Sequence, residues 1–306
     1  MKPIVYIAIF VLIGCGQSER KPESSKTKTG PLDVVAVNYP LQYFAERIGG
    51  KHVKVTLPVP RNEDPADWRP AGQQAREFIT KTQKSDLILL NGAGYAKWIK
   101  YGSWREAQLI DTSLEFKGSL LEIGKKHQVS HKHGKDGKIH THGAVAYTLW
   151  LDPQLAVRQA QAIQAAFSRE MPNHKEVFSA NYKKLEADLL SLGKSITKDK
   201  EPLLASHPVY QYLQRRFELE LKSVHWEPEG TPPAKEWEAL KSTLEQYPAR
   251  WMIWEGAPLA ETSKKLQELG VEIIIFDPCG NAPREGDYLT LMRSNFASLK
   301  KALDGD

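Results

Sequence analysis

The sequence is poor in cysteine: 306 residues contain two, Cys15 and Cys279. No disulfide framework can be built from them, and if Cys15 is used elsewhere, Cys279 has no partner within the chain. Long apolar runs are missing too. The run 4–13 covers ten residues, whereas a helix across a bilayer needs roughly twenty, so it cannot persist as a span. Charge of one sign is also scarce. Lys and Arg number 42 against 37 Asp and Glu, a net charge of +5 with no basic block beyond the Lys/Ser/Thr-rich stretch 18–29. That balance gives no footing for nucleic acid as a partner. No nucleophile motif or phosphate-cradling loop occurs, and the isolated Gly92-Ala93-Gly94 reads as a turn. Catalysis is not expected.

What is present begins with Met1-Lys2-Pro3, the apolar run and Leu12-Ile13-Gly14-Cys15. A basic start, a short apolar core and a small-residue end make the layout of a secretory signal. The last four residues resemble the lipobox of bacterial lipoproteins, which implies cleavage after residue 14, lipid on Cys15, and a protein anchored outside the cytoplasm. Residues 15–30 then read as a tether, because 16–30 hold no apolar side chain that could be buried.

Order is expected from residue 31. Strands at 32–37, 53–59 and 87–90 alternate with helices at about 40–48 and 71–83, a βαβ grammar. The same grammar returns 168 residues later. Val37-Asn38-Tyr39-Pro40 parallels Ala205-Ser206-His207-Pro208, and Asp86 to Ala93 parallels Arg250 to Ala257 at a slightly shorter offset. Two matches in one order argue for two related lobes. The fold class expected is α/β, two Rossmann-like lobes with parallel sheets, at 31–151 and 194–306. Between them, 152–193 reads as a linking helix opened by Asp152-Pro153 and interrupted or sharply kinked at Met171-Pro172. At about 1.5 Å per residue, such a helix would reach over about 50 Å.

Candidate chemistry lies in two places. Five of the nine histidines, His127, His131, His133, His140 and His142, fall in the polar loop 127–142. Imidazoles so spaced on a mobile segment suit loose capture of Zn²⁺, Cu²⁺ or Ni²⁺. The second place is the set of strand ends in the C-terminal half. His207 precedes Pro208, Glu255 follows the apolar 251–254, and Asp277 follows the apolar 273–276. A carboxylate at the end of an apolar strand is costly to desolvate unless something positive meets it. Converging on one sheet edge, these three would make a metal site of nitrogen and oxygen donors; the alternative for each carboxylate is a helix cap, a role open to Asp277 before Pro278. His225 and Cys279 are further residues that are either ligands or bystanders.

Taken together, the stretches from Val37 (VNYPLQYFAERIGG), from Ser85 (SDLILLNGAG), Leu149-Trp150-Leu151-Asp152-Pro153, Phe276-Asp277-Pro278 and the late 287–295 resemble the zinc/manganese class of solute-binding lipoproteins of ABC transporters. The resemblance covers almost the whole chain. It implies one divalent cation held between two lobes by His, Glu and Asp, a permease partner, a monomer and no enzymatic activity. His207 matches that family's C-lobe His and Asp277 its final Asp. The N-lobe departs: where the family has Asp-Pro-His-Asp this chain has Asp64-Pro65-Ala66-Asp67, and the second His position falls on Thr148. The expectation is a variant whose site has moved toward His207, Glu255 and Asp277. Loop histidines, Asp64 or Asp67 would be substitute donors, and Zn²⁺, or alternatively Mn²⁺, the ligand. Two other classes stay open. One is a binding lipoprotein for a metal chelate or other small ligand, which the eight tryptophans, Trp68 and Trp226 among them, would suit. The other is a metal-dependent hydrolase, which would need an open coordination position and a general base.

Overall fold

The computed structural model describes residues 30–123, 130–131, 140–141, 145–196 and 201–304. The signal, Cys15 and the tether as far as residue 29 lie outside them. So do His127, His133 and His142.

Two four-stranded parallel sheets form the frame. The first runs β2 (Val53–Thr56), β1 (Leu32–Ala36), β3 (Leu87–Leu90), β4 (Leu109–Asp111). The second runs β10 (Glu272–Ile275), β9 (Trp251–Trp254), β7 (Leu203–Ala205), β8 (Leu221–Ser223). Counted from its own first strand, each sheet has the order 2-1-3-4, so the internal repeat seen in the sequence is a repeat of topology. In this order the crossovers reverse direction between strands 1 and 3, which opens a crevice at their carboxyl ends. Asn38 and Asn91 stand there in the first lobe, His207 and Glu255 in the second.

Local chemistry explains the elements. Helix α1 (Tyr39–Gly49) starts where Asn38 Oδ1 accepts the Leu41 N–H at 3.1 Å. It carries Pro40 in its first turn and ends at Gly50, whose φ of +52° suits glycine. Helix α2 (Gly72–Gln83) follows. Helix α3 (Pro153–Glu170) is capped by Asp152, which accepts the Gln154 N–H at 2.9 Å. Beyond Pro172 comes α4 (Lys175–Ser191). The break at Met171-Pro172 is as expected, but the 50 Å reach is not realised. Helices α3 and α4 fold back and pack on each other, Phe167 against Phe178 at 5.7 Å, and both pack on α1. Each spans about half that reach, because the apolar stripes of both helices are buried against one another and α1 rather than strung end to end.

The C-terminal lobe adds α5 (Gln211–Phe217), α6 (Ala234–Gln246), α7 (Ala260–Glu268) and α8 (Tyr288–Asp304). The strand expected at 53–59 stops at Thr56, and its counterpart in the second lobe stops at Ser223. Pro58 and Pro60 remove ladder donors after the first. After the second, the chain stays beside β7 through the Val224 and Trp226 N–H groups, which bond to Ala205 O and Ser206 O. The His-rich loop is not wholly irregular: β5 (Ser130–His131) and β6 (His140–Thr141) pair antiparallel, with His131 opposite His140.

One apolar cluster runs through both lobes and the helical pair, joining Phe44, Leu89, Phe167, Phe178, Phe276 and Tyr288. Above it, the Tyr43 O–H donates to Asp287 at 3.0 Å and Arg47 pairs with Asp188 at 2.7 Å, tying α1 to α8 and α4. A shared dry core stiffens the relation between the lobes. Among the described residues no helix is long and apolar enough to cross a membrane.

Candidate metal-binding cleft

The second sheet delivers its polar groups from a fully apolar base. Met252, Ile253 and Trp254 are all buried, and Glu255 is the first residue that can reach solvent. Across the switch point, Ser206 ties its N–H to Ile253 O at 2.8 Å and accepts the Trp226 N–H at 2.7 Å, which fixes the backbone beneath His207. The His207 ring is 1% exposed. Its Nδ1 lies 3.0 Å from Glu255 Oε1 and its Nε2 lies 3.7 Å from Glu227 Oε1. His225 meets it edge-on, centroids 5.8 Å apart. His207, Glu255 and His225 are therefore neighbours, and Glu227 joins them. Sequence reasoning passed over Glu227, although it lies two residues beyond His225 in the segment that continues β8.

Asp277 follows Phe276 on the adjoining wall. Burial raises its carboxyl pKa, opposed by the Cys279 N–H, which donates to Oδ1 at 2.7 Å, and reinforced by the nearby charge of Glu255. Cys279 itself differs from the cleft position considered for it. A left-handed backbone, φ +59°, turns its side chain into the main apolar cluster, where it is 1% exposed, and burial followed by the charges of Asp277 and Asp287 pushes the thiol pKa up. It is a neutral core group that does not line the cleft.

The cleft between the lobes is a cavity of about 460 Å³. Six carboxylates line it, Glu63 and Asp64 from the first lobe and Glu227, Glu229, Glu255 and Asp277 from the second. Among the described residues no Lys, Arg or His lines it; His207 is buried against Glu227 and Glu255, which do. The turn Gly92-Ala93-Gly94, left-handed at all three residues, brings Tyr95 onto the wall beside Tyr147, their rings 5.2 Å apart. A side chain at Gly92 would collide with Ser113, so the tight turn demands glycine. Burial, then the charge of Asp64, raises both phenols well above their ordinary pKa, which keeps them neutral hydroxyls. Such a wall attracts cations and repels anions.

The two N-lobe positions that depart from the resembled pattern have other tasks. Ala66 is buried in the core and its N–H donates to Asp64 Oδ1 at 2.8 Å. Thr148 lines the cleft, yet its hydroxyl donates to Val209 O at 2.5 Å across the lobe boundary. Asp67 pairs with Lys97. Among the described residues, no three of His, Cys, Asp and Glu stand close enough together to hold a metal ion.

Two lobes of one topology, joined through a common core and facing an anionic cleft at their switch points, define a solute-binding protein of the rigidly linked, two-lobed class. The sequence profile of the family described as ZnuA, zinc-uptake complex component A, periplasmic, matches residues 34–302, and the chain belongs to that family. It is similar to the high-affinity zinc uptake system protein ZnuA of Bacillus subtilis, 25% identical with 98% of this chain and 96% of that one covered. It is also similar to the manganese-binding lipoprotein MntA of the same organism, at 25% identity over 72% of this chain and 68% of that one. Among solved structures, the Zn(II)-bound ZnuA-like domain of Streptococcus pneumoniae AdcA superposes with a TM-score of 0.73 at 18% identity, covering 90% of this chain and all of that one. The family is one of solute-binding transport proteins rather than enzymes.

Proposed function

We propose that this chain captures a divalent transition metal, Zn²⁺ first and Mn²⁺ as the alternative, in the interlobe cleft outside the cytoplasm and delivers it to an ABC permease. The observation that carries this reading is His207 held between Glu227 and Glu255 at the switch point of a six-carboxylate cleft. Two donors on a tetrahedral Zn²⁺, each about 2.0–2.1 Å from the ion, sit about 3.3 Å apart. The 3.0 Å between His207 Nδ1 and Glu255 Oε1 is close to that separation. Nε2 faces Glu227 at 3.7 Å, so that this carboxylate of the cleft wall acts on the ring through its charge. Asp277 supplies a further oxygen, and His225 buttresses the ring.

Capture follows from electrostatics. The carboxylate field concentrates cations at the cleft mouth, and the ion then exchanges water for His207, Glu255 and Asp277. The relatives' names, zinc uptake protein and manganese-binding lipoprotein, support the choice of ions. The signal 1–14, lipid on Cys15 and tether 15–30 would hold a monomer at the membrane surface, near a permease. The loop 127–142 would gather ions weakly near the first lobe. Equilibrium dialysis of the soluble chain against Zn²⁺, Mn²⁺ and Cu²⁺ tests the proposal. About one tightly held Zn²⁺ per chain, weakened more than tenfold by His207→Ala, is expected; equal affinity in parent and variant would place the ion elsewhere.

A further inference from the structure

We infer that Asn281 is a clasp across the cleft. Its side-chain amide holds the first-lobe segment 60–64, with Glu63 and Asp64, against the second lobe, and the opening of this clasp sets the rate at which the cleft releases its divalent cation. This rests on the metal-capture reading above and adds a positioning residue that acts through the segment it holds.

Asn281 lines the cavity from the second lobe and reaches across it. Its Nδ2 donates to Pro60 O at 2.7 Å and to Glu63 O at 2.9 Å, while its Oδ1 accepts the Ala282 N–H at 2.8 Å. This partner set fixes the orientation of the amide, because a flipped amide would set its oxygen against two carbonyls. The two sides of the clasp are unequally held. On the second-lobe side, Gly280 O accepts the Tyr39 N–H at 2.9 Å, Pro278 O the Trp150 Nε1–H at 2.6 Å and Asp277 O the Asn295 Nδ2–H at 2.7 Å. The stretch 277–281 is thus a fixed post. On the first-lobe side, residues 60–64 are all exposed. They belong to the connection 57–71 between β2 and α2, and α2 itself buries only Thr82. Few buried apolar contacts and an exposed backbone mark a segment of low local stability, so when the clasp opens this side moves.

The charge that the segment carries couples the clasp to the cation. Glu63 and Asp64 line the same cavity as Glu227, Glu229, Glu255 and Asp277 of the second lobe. Without a cation, these like charges push the two walls apart against the two hydrogen bonds of the amide. A divalent cation between them reverses the sign and draws the segment in. Among the described residues no three donors stand close enough together to hold a metal ion, so a captured ion has to gather donors, and segment 60–64 is a wall that can come to it. Cation and clasp then strengthen each other by the same factor. Two exposed neutral hydrogen bonds correspond to about a tenfold change in that equilibrium. Asn281 carries no charge, so its effect falls on release and not on the field that steers capture.

The test follows Zn²⁺ by stopped flow in the soluble full chain and in its Asn281→Ala and Asn281→Gln variants. Release into excess chelator should be about tenfold faster in Asn281→Ala, at low and high salt alike, with the capture rate within about twofold of the parent. Asn281→Gln, which keeps both donor hydrogens on a longer arm, should recover part of the loss. Hydrogen exchange separates positioning from general loosening. The Glu63 N–H, bonded to Pro60 O at 3.1 Å, should exchange faster in Asn281→Ala while α1 and α8 exchange as in the parent. Zn²⁺ should slow that exchange in the parent more than in the variant. Tight Zn²⁺ binding with a release rate in Asn281→Ala within about twofold of the parent would overturn the clasp and leave metal capture standing. Faster exchange spread over both lobes would show a general structural contact and overturn it likewise. Absence of Zn²⁺ binding by the parent chain would overturn the metal reading, and this inference with it.

Discussion

Replacing Glu255 by Gln preserves shape and one ligating oxygen while removing the charge. Glu255 caps an apolar strand and lies 3.0 Å from His207 Nδ1, with 27% of its side chain exposed. The folded apo protein therefore does not depend on it heavily. Bound metal does. Interactions with a charged group exceed their neutral counterparts and contribute about 1.5–3 kcal/mol, and 1.4 kcal/mol is a factor of ten. The variant should lose about ten- to a hundredfold in Zn²⁺ affinity. A rim control, Glu229→Gln, acts only through the long-range field and should lose a few-fold at low ionic strength and almost nothing at high salt. Competition against a chromophoric chelator at two salt concentrations measures both, alongside the apo melting temperature. An affinity within twofold of the parent for Glu255→Gln would refute the ligand assignment. Equal salt sensitivity of the two variants would show that Glu255 acts as part of the field rather than as a ligand.

Asp277→Asn should abolish tight metal binding and yet raise the apo melting temperature slightly. The raised carboxyl pKa means that the ionised form is penalised by burial in the absence of a cation, a strain kept for function. Cys279→Ser should leave metal affinity unchanged by dialysis and lower stability in denaturant by about 1–3 kcal/mol, because a hydroxyl replaces a thiol in the core. Tyr43→Phe removes the hydroxyl between Asp287 and Arg47 and should cost about 1–2 kcal/mol. Asp287 has a lowered pKa: burial opposes ionisation, and the Thr290, Tyr43 and Arg47 contacts outweigh it. Its stabilisation is thus complete above the ordinary aspartate value of about 3.9 and is lost as pH falls through the lower folded value. The Tyr43→Phe defect should accordingly shrink in acid unfolding below that range.

Much of the frame was legible because it depends on short-range pattern. Apolar runs such as 87–90, the Asn38-Tyr39-Pro40 start of α1 and the Asp152-Pro153 start of α3 declare their elements locally. The parallel of Tyr39-Pro40 with His207-Pro208 announced a repeated topology. Helix α6 left a weaker trace, since only Trp237 and Leu240 of its thirteen residues are buried. Strand β4 is only three residues long, too short for periodicity to register.

The sequence by itself determined that carboxylates and an imidazole end the apolar strands of the second half, and that Ala66 and Thr148 stand where the resemblance leads one to expect imidazoles. Those are facts of residue type and order. Only the tertiary structure decided what meets what. It folded α3 back on α4, turned Cys279 into the core through one left-handed residue, brought Glu227 to the far nitrogen of His207, and committed Thr148 to Val209. Each of these depends on backbone direction at a strand end or turn, and there a single dihedral reverses where a side chain points, while the residue pattern along the chain stays the same.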